Sequence, residues 1–194
     1  MKIGIDISQI AFEHTGVARY MERMVIELVE KSPSHEFILF GSSLRKSHIL
    51  KQFAAILKNK HANVRSMIIH VPPILLDLLW NRLHIMPVEW IIGRVDVFWS
   101  SDWTQPPLTY AKGVTTIHDL SIFTYPKDSN PEPHIDIKQG QFRANIVGVQ
   151  RRRLHWVDRE CARIFCDSIA TKKDIMKFLS ISEQKLHVVY PGYL

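Results

Sequence analysis

The sequence predicts an α/β fold in which a parallel sheet is covered by helices on both faces. Two observations carry this. Short runs rich in Val, Ile and Phe alternate with stretches of helical period along the chain. The runs are continuously apolar, as in strands buried on both sides. No internal repeat or linker divides the 194 residues, so 1–194 reads as one domain.

The elements follow in order. Residues 2–7 form the first strand. Val17, Tyr20, Met21, Met24, Val25, Leu28 and Val29 then recur at helical spacing, one apolar face that ends before Pro33. Residues 36–40 form a second strand, closed by Gly41. Residues 45–60 form an amphipathic helix with Ile49, Phe53, Ile56 and Leu57 inward. Residues 64–71 form a third strand, stopped by Pro72 and Pro73, and 74–92 read as an unusually apolar helix. Residues 95–99 and 114–117 are the fourth and fifth strands. Residues 121–138, with Pro126, Pro131 and Pro133, read as a long loop, a kind that is often functional. A polar helix over 139–160 leads to a sixth strand over 162–166. Ser168 caps a helix that runs through Leu179, and 186–190 form the last strand, before Pro191 and Gly192.

Composition narrows the function classes. Apolar residues make up 46% and charged residues 23%, ordinary for a globular chain. Eight Gly and ten Pro are too few for a low-complexity chain. The two Cys, at 161 and 166, cannot make a disulfide scaffold, and with His155 and His187 they lack metal-ligand spacing, so both read as core residues. Asp6 interrupts the first apolar run, which argues against a secretory signal. Asp77, Asn81, Arg82, His84 and Glu89 break the region 71–92, which excludes a spanning helix. The expectation is a cytoplasmic, soluble protein. With 25 Lys and Arg against 19 Asp and Glu, its charge of +6 suits phosphates, an anionic membrane surface or nucleic acid. No nucleic-acid module is visible. Arg151, Arg152 and Arg153, with Lys138, Arg143 and Arg159 near them, read first as a solvated helix face.

In open parallel sheets, ligands bind beyond the carboxyl ends of the strands. Three places qualify. The first holds Gly16 and Arg19, where a helix N-terminus after a strand can bind an anion. It reads equally as a plain turn with a surface arginine, and the dinucleotide fingerprint G-x-G-x-x-G is absent. The second is Ser100 to Pro107, in which Trp103 can stack on a sugar or an acceptor, or simply be half-buried in a Pro-terminated loop. The third is His118 and Asp119 after the fifth strand. A carboxylate near a histidine fixes its tautomer, but adjacent residues on an extended chain point apart, so Asp119 need not touch His118. There is no G-x-S-x-G elbow for a hydrolase triad.

Taken in order, these segments resemble family 4 (group 1) glycosyltransferases of GT-B fold. The opening KIGIDIS followed by TGVARY is similar to the start of that family. Residues 95–101 resemble the strand before its inter-domain crevice, and Thr116 to Pro126 resemble its HDL…YP segment. The tail from Asp167-Ser168 through Thr171, Asp174 and Lys185 to Gly192 is similar to the run that closes its N-terminal domain. The resemblance covers nearly the whole chain.

It implies one Rossmann-like lobe of a GT-B fold. The activity implied is transfer of a sugar from a nucleotide-diphosphate sugar to a glycan or lipid-linked acceptor, with no metal or further cofactor. His118 is then the catalytic residue beside the transferred sugar. Gly16 and Asp119 face the donor and its diphosphate, and Arg19, Trp103 and Tyr125 face the acceptor. Residues 9–14 are not glycine-rich and 127–139 have little family character. The C-terminal donor-binding domain is expected to be missing from these 194 residues, which alone are then inactive. The alternative is a non-catalytic module of the same fold that docks a partner subunit or an anionic membrane, with the basic face and residues 74–92 as its surface. The excess charge is assigned to diphosphate, a phosphorylated acceptor or peripheral contact with the inner membrane face rather than to nucleic acid.

Overall fold

The computed structural model describes residues 1–124 and 146–192. Among them, seven strands form one wholly parallel sheet: β1 (Lys2–Asp6), β2 (Glu36–Ser42), β3 (Val64–Ile69), β4 (Val97–Ser100), β5 (Lys112–Ile117), β6 (Cys161–Cys166) and β7 (Leu186–Val188). Their spatial order is β3-β2-β1-β4-β5-β6-β7. The chain therefore winds outward from β1 to one edge, returns to β4 beside β1, and winds to the other edge. The α/β Rossmann-like architecture is the one expected.

The central strands are buried on both faces. In β2, Phe37 and Leu39 join one core with α1 (Gly16–Lys31) and α2 (Ser47–Lys60). The alternate residues Ile38 and Phe40 join a second core with Trp80, Val88, Ile92 and Phe98 on the other face. That is the period-2 consequence of the pleat. Gly4 in β1 lets this second core close, because a Cβ there would lie 2.8 Å from the Phe98 ring. A third core joins Ile117, Ile164 and Cys166 to Leu154 and Val157 of α6 (Ile146–Glu160) and Ile175 of α7 (Ile169–Leu179). Both cysteines are buried and unpaired, and burial pushes the Cys161 thiol up to about 12 and the Cys166 thiol up to about 11.

Capping follows the sequence signals. Thr15 accepts a bond from Ala18 N at the start of α1, and Ser168 accepts one from Thr171 N at the start of α7. In α2 the inward set is Leu50, Phe53, Ala54 and Leu57, whereas Ile56 is exposed.

Residues 74–92 are not one helix. A short α3 (Pro73–Leu76) continues as a π-helical turn (Asp77–Arg82), and α4 (Glu89–Ile92) is separate. Between them His84 and Met86 have left-handed φ values of 50° and 64°. Pro87 disfavours helix at Met86 and has no N–H to continue the ladder. The proposed loop over 121–138 begins with a helical turn, α5 (Ser121–Thr124); the rest of it, and residues 139–145, lie outside the described residues.

Glu89 ties α4 to the loop before β5. Its carboxylate accepts from the backbone N–H of Thr109, Tyr110 and Ala111, at 2.9–3.0 Å. Burial works to raise its carboxyl, but these backbone donors outweigh it and hold it below the ordinary 4.5. The stabilisation is therefore fully present above the unfolded value and lost as pH falls through the folded one. Glu89→Gln should cost about 1–3 kcal/mol at neutral pH. The gap to the native chain should shrink under acid conditions below 4.5. Urea unfolding of both proteins across that range checks this, and equal stability at neutral pH would refute it.

Candidate functional site

The winding reverses between β1 and β4, so their carboxyl ends flank a crevice, the place where ligands bind in such sheets. From β1 the crevice receives Asp6, from β4 Ser100 and Ser101, and from β5 His118.

His118 is held on two sides. Its Nδ1 lies 2.6 Å from the Asp167 carboxylate, just after β6. Its ring meets the Tyr20 ring edge-on, with centroids 4.9 Å apart. The carboxylate accepts, so Nδ1 carries a proton, and in the neutral ring Nε2 presents a lone pair. No hydrogen bond is made to Nε2 among the described residues. The Thr171 hydroxyl donates to the His118 carbonyl at 3.0 Å, which fixes the backbone. Burial raises the Tyr20 phenol, with the Thr116 hydroxyl beside it opposing the shift.

Gly16 opens α1 one turn before Tyr20, with free space where a side chain would stand. The structure thus brings the first turn of α1 and His118 together. On the other side of the cap, Phe12 stacks on Trp103 with centroids 5.8 Å apart and planes at 29°. Phe12 is tied to the cap through Thr15, whose hydroxyl donates to the Phe12 carbonyl. Trp103 is held from behind by the π-helical turn, where Asn81 donates to the Trp103 carbonyl and accepts from Gln105 N. The π turn is what points Asn81 at this loop.

The other expected residues fall elsewhere. Asp119 is exposed and accepts from Ser121 N at 2.9 Å, capping α5. It does not touch His118; Asp167 takes that place. Arg19 is exposed and lines a groove of about 360 Å³ between α1 and α2, with Glu13, Glu22, Ile49 and Gln52. Tyr125 lies outside the described residues.

The floor of the crevice is polar and buried. Asp6 is fully buried; its Oδ1 accepts from Ser8 N at 2.9 Å, and among the described residues its Oδ2 has no hydrogen-bond partner. Burial raises its carboxyl, opposed by Ser8 and by the Ser101 hydroxyl. Among the described residues, neither amide atom of the buried Gln9 side chain is bonded, nor is Trp99 Nε1. Buried polar atoms are normally satisfied, so this group can bond a polar ligand or ordered water.

Arg153 holds the floor together. Its side chain is fully buried, which corrects the solvated reading of the arginine cluster at this position. It donates to the Ser101 carbonyl at 3.0 Å, Asp102 Oδ1 at 3.1 Å, Thr115 Oγ1 at 2.6 Å and the Thr116 carbonyl at 3.1 Å. Arg152 pairs with Asp77 at 2.7 Å, and Arg151 is exposed over the Phe123 ring. Successive helix positions point about 100° apart, so three neighbours meet three environments. Lys138 and Arg143 lie outside the described residues. Burial raises the Asp102 carboxyl against the pull of the Arg153 charge.

Compared with protein-family models and with curated proteins, the chain matches none. The site is therefore read from its own residues. Three of them escaped the sequence reading. Asp167 carried the same signal as His118, a polar residue directly after a strand. Tyr20 looked like core, and Arg153 like surface.

Arg153→Met should cost about 3–5 kcal/mol, because it leaves the Asp102 carboxylate inside without its cation. The double change Arg153→Met with Asp102→Asn should recover part of the loss. Denaturant unfolding of the two variants checks both statements; a loss under about 1 kcal/mol in the single variant would show the pair to be dispensable.

Proposed function

We propose that this chain is the acceptor-side lobe of a GT-B glycosyltransferase, which moves a sugar from a nucleotide-diphosphate sugar to a glycan or lipid-linked acceptor. The observation that supports it most is the His118–Asp167 pair at a sheet crevice, with no hydrogen bond to the imidazole Nε2 among the described residues. On this reading Nε2 accepts a hydrogen bond from a hydroxyl of the transferred sugar. Asp167 keeps the tautomer and stabilises positive charge on the ring as bonding to Nε2 strengthens. The stacked Phe12 and Trp103 offer an aromatic surface to the apolar face of an acceptor sugar. The free N–H groups at the Gly16 end of α1 face the donor diphosphate, with the nucleotide held by a second lobe.

The carboxylates Asp6, Asp102, Asp119 and Asp167 all end or follow strands. Such a floor suits neutral sugar hydroxyls better than a phosphate cluster, which agrees with leaving most of the diphosphate charge to the other lobe. The reading includes no metal or further cofactor and a cytoplasmic protein in peripheral contact with the inner membrane face. Among the described residues, no helix is long and apolar enough to cross a membrane.

The experiment is a transfer assay over a panel of nucleotide-diphosphate sugars, read as nucleoside diphosphate release in the full-length protein. His118→Ala should lower kcat by about 10²–10³-fold with the fold unchanged. Asp167→Asn should lower it by about tenfold or more and shift the pH profile, since an amide does not stabilise a charged ring. Near-normal turnover in His118→Ala sinks the assigned role, and turnover by the 194-residue chain alone removes the second lobe from the proposal. A non-catalytic module of the same fold would show no transfer in any form.

A further inference from the structure

The carboxylate that holds His118 uses only one of its oxygens for the ring. Asp167 Oδ2 lies 2.6 Å from Nδ1, while Oδ1 is buried and has no hydrogen-bond partner among the described residues. Two hydroxyls of the same neighbourhood share that condition. The Tyr20 phenol and the Thr116 hydroxyl are likewise buried and unbonded among the described residues. Buried polar atoms are normally satisfied, and an ionised one is the costliest to leave bare.

Three elements bring these oxygens together. Tyr20 comes from α1, and its ring stands edge-on to the His118 ring at 4.9 Å. Thr116 comes from β5, two positions before His118 and so on the same face of the sheet. Arg153 fixes its carbonyl, and its hydroxyl lies beside the Tyr20 phenol. Asp167 follows β6, in which Cys166 pairs with Ile117, so the chain sets Asp167 beside His118. Burial and, less strongly, the Asp167 charge raise the Tyr20 phenol, which therefore keeps its proton and donates.

We infer that Tyr20 and Thr116 are positioning residues for His118, with their hydroxyls joined to Asp167 Oδ1 through one bound water. The water accepts from both hydroxyls and donates to Oδ1, which makes three bonds, the usual number for a buried water. Donation to Oδ1 draws charge from the carboxylate and limits its pull on the Nδ1 proton. A tempered carboxylate stabilises a charged ring less, so Nε2 keeps its lone pair for a hydroxyl ligand. The charged groups on the surrounding elements are engaged elsewhere. Asp102 at the end of β4 is matched by Arg153 of α6, Asp119 is exposed and caps α5, Lys172 of α7 pairs with Glu183, and Arg19 of α1 lines the outer groove. The effect on turnover rests on the transfer reading; the network does not.

The test follows the ring nitrogen resonances of His118 by NMR across pH in the native chain, assigned by their loss in His118→Ala. Tyr20→Phe keeps the ring contact and removes the hydroxyl, so it should raise the proton affinity of Nε2 by about threefold to tenfold. Thr116→Val should raise it as well, and Thr116→Ser, which keeps a hydroxyl, should leave it native. No substrate enters this measurement. In the transfer assay, Tyr20→Phe should move the acid limb of the pH profile to higher pH by the same factor. A high-resolution crystal structure of the native chain, which needs no variant, should place a water within hydrogen-bond reach of all three oxygens. Absence of that water, an unmoved titration in Tyr20→Phe, or equal displacement in Thr116→Ser and Thr116→Val each overturns the proposal. A moved titration in a protein without transfer activity supports the network and sinks the transfer reading alone.

Discussion

The crevice depends on one buried guanidinium. Arg153 reaches from α6 under the sheet's carboxyl edge and joins the end of β4, through Ser101 and Asp102, to the end of β5, through Thr115 and Thr116. β4 and β5 are linked by a stretch without helix, residues 101–111, so no packed helix positions it. Arg153 supplies that connection with hydrogen bonds instead. Asp102 is oriented in turn by Gln150, one turn earlier on α6. The loop then presents Trp103 to Phe12, and β5 delivers His118 to Asp167. Such a pair is costly to desolvate and costlier to break, which is why a single cation can define a site's geometry.

Two charge systems coexist without meeting in one patch. Around the crevice, carboxylates follow the strands, and two of them, Asp102 and Asp167, are matched to Arg153 and His118. Residues 37–95 carry eight Lys and Arg, and their two carboxylates, Asp77 and Glu89, are inside. The π-helical turn stands between the two. Its Asn81 braces the Trp103 loop, its Asp77 binds Arg82 and Arg152, and its outward Leu78 is exposed. The helix register that points Asn81 inward also points Leu78 outward, so the crevice support and the exposed face are built from the same few residues.

The fold was legible in the amino-acid order because it rests on local signals. Continuous Val, Ile and Phe runs mark parallel strands, Thr15 and Ser168 mark helix starts, and Pro33 and Pro72 mark ends. His118 was legible as well, as a polar residue after a strand. The periodicity of residues 74–92 was misleading, because Pro87 and the left-handed His84 and Met86 break a pattern that hydrophobicity alone continues. Ile56 repeated the error on a smaller scale, since its helical spacing is compatible with either side of a wide apolar stripe.

The amino-acid order by itself determined the layered α/β sheet, its seven strands and the neighbourhood in which a ligand can bind, for these follow from period and strand order along the chain. Tertiary structure alone decided which carboxylate serves His118, since Asp167 stands 49 positions away and reaches it only because β5 and β6 are adjacent. It also decided that one of three consecutive arginines is interior. These are facts about which surfaces meet, and contact between distant segments is set by packing, not by sequence spacing.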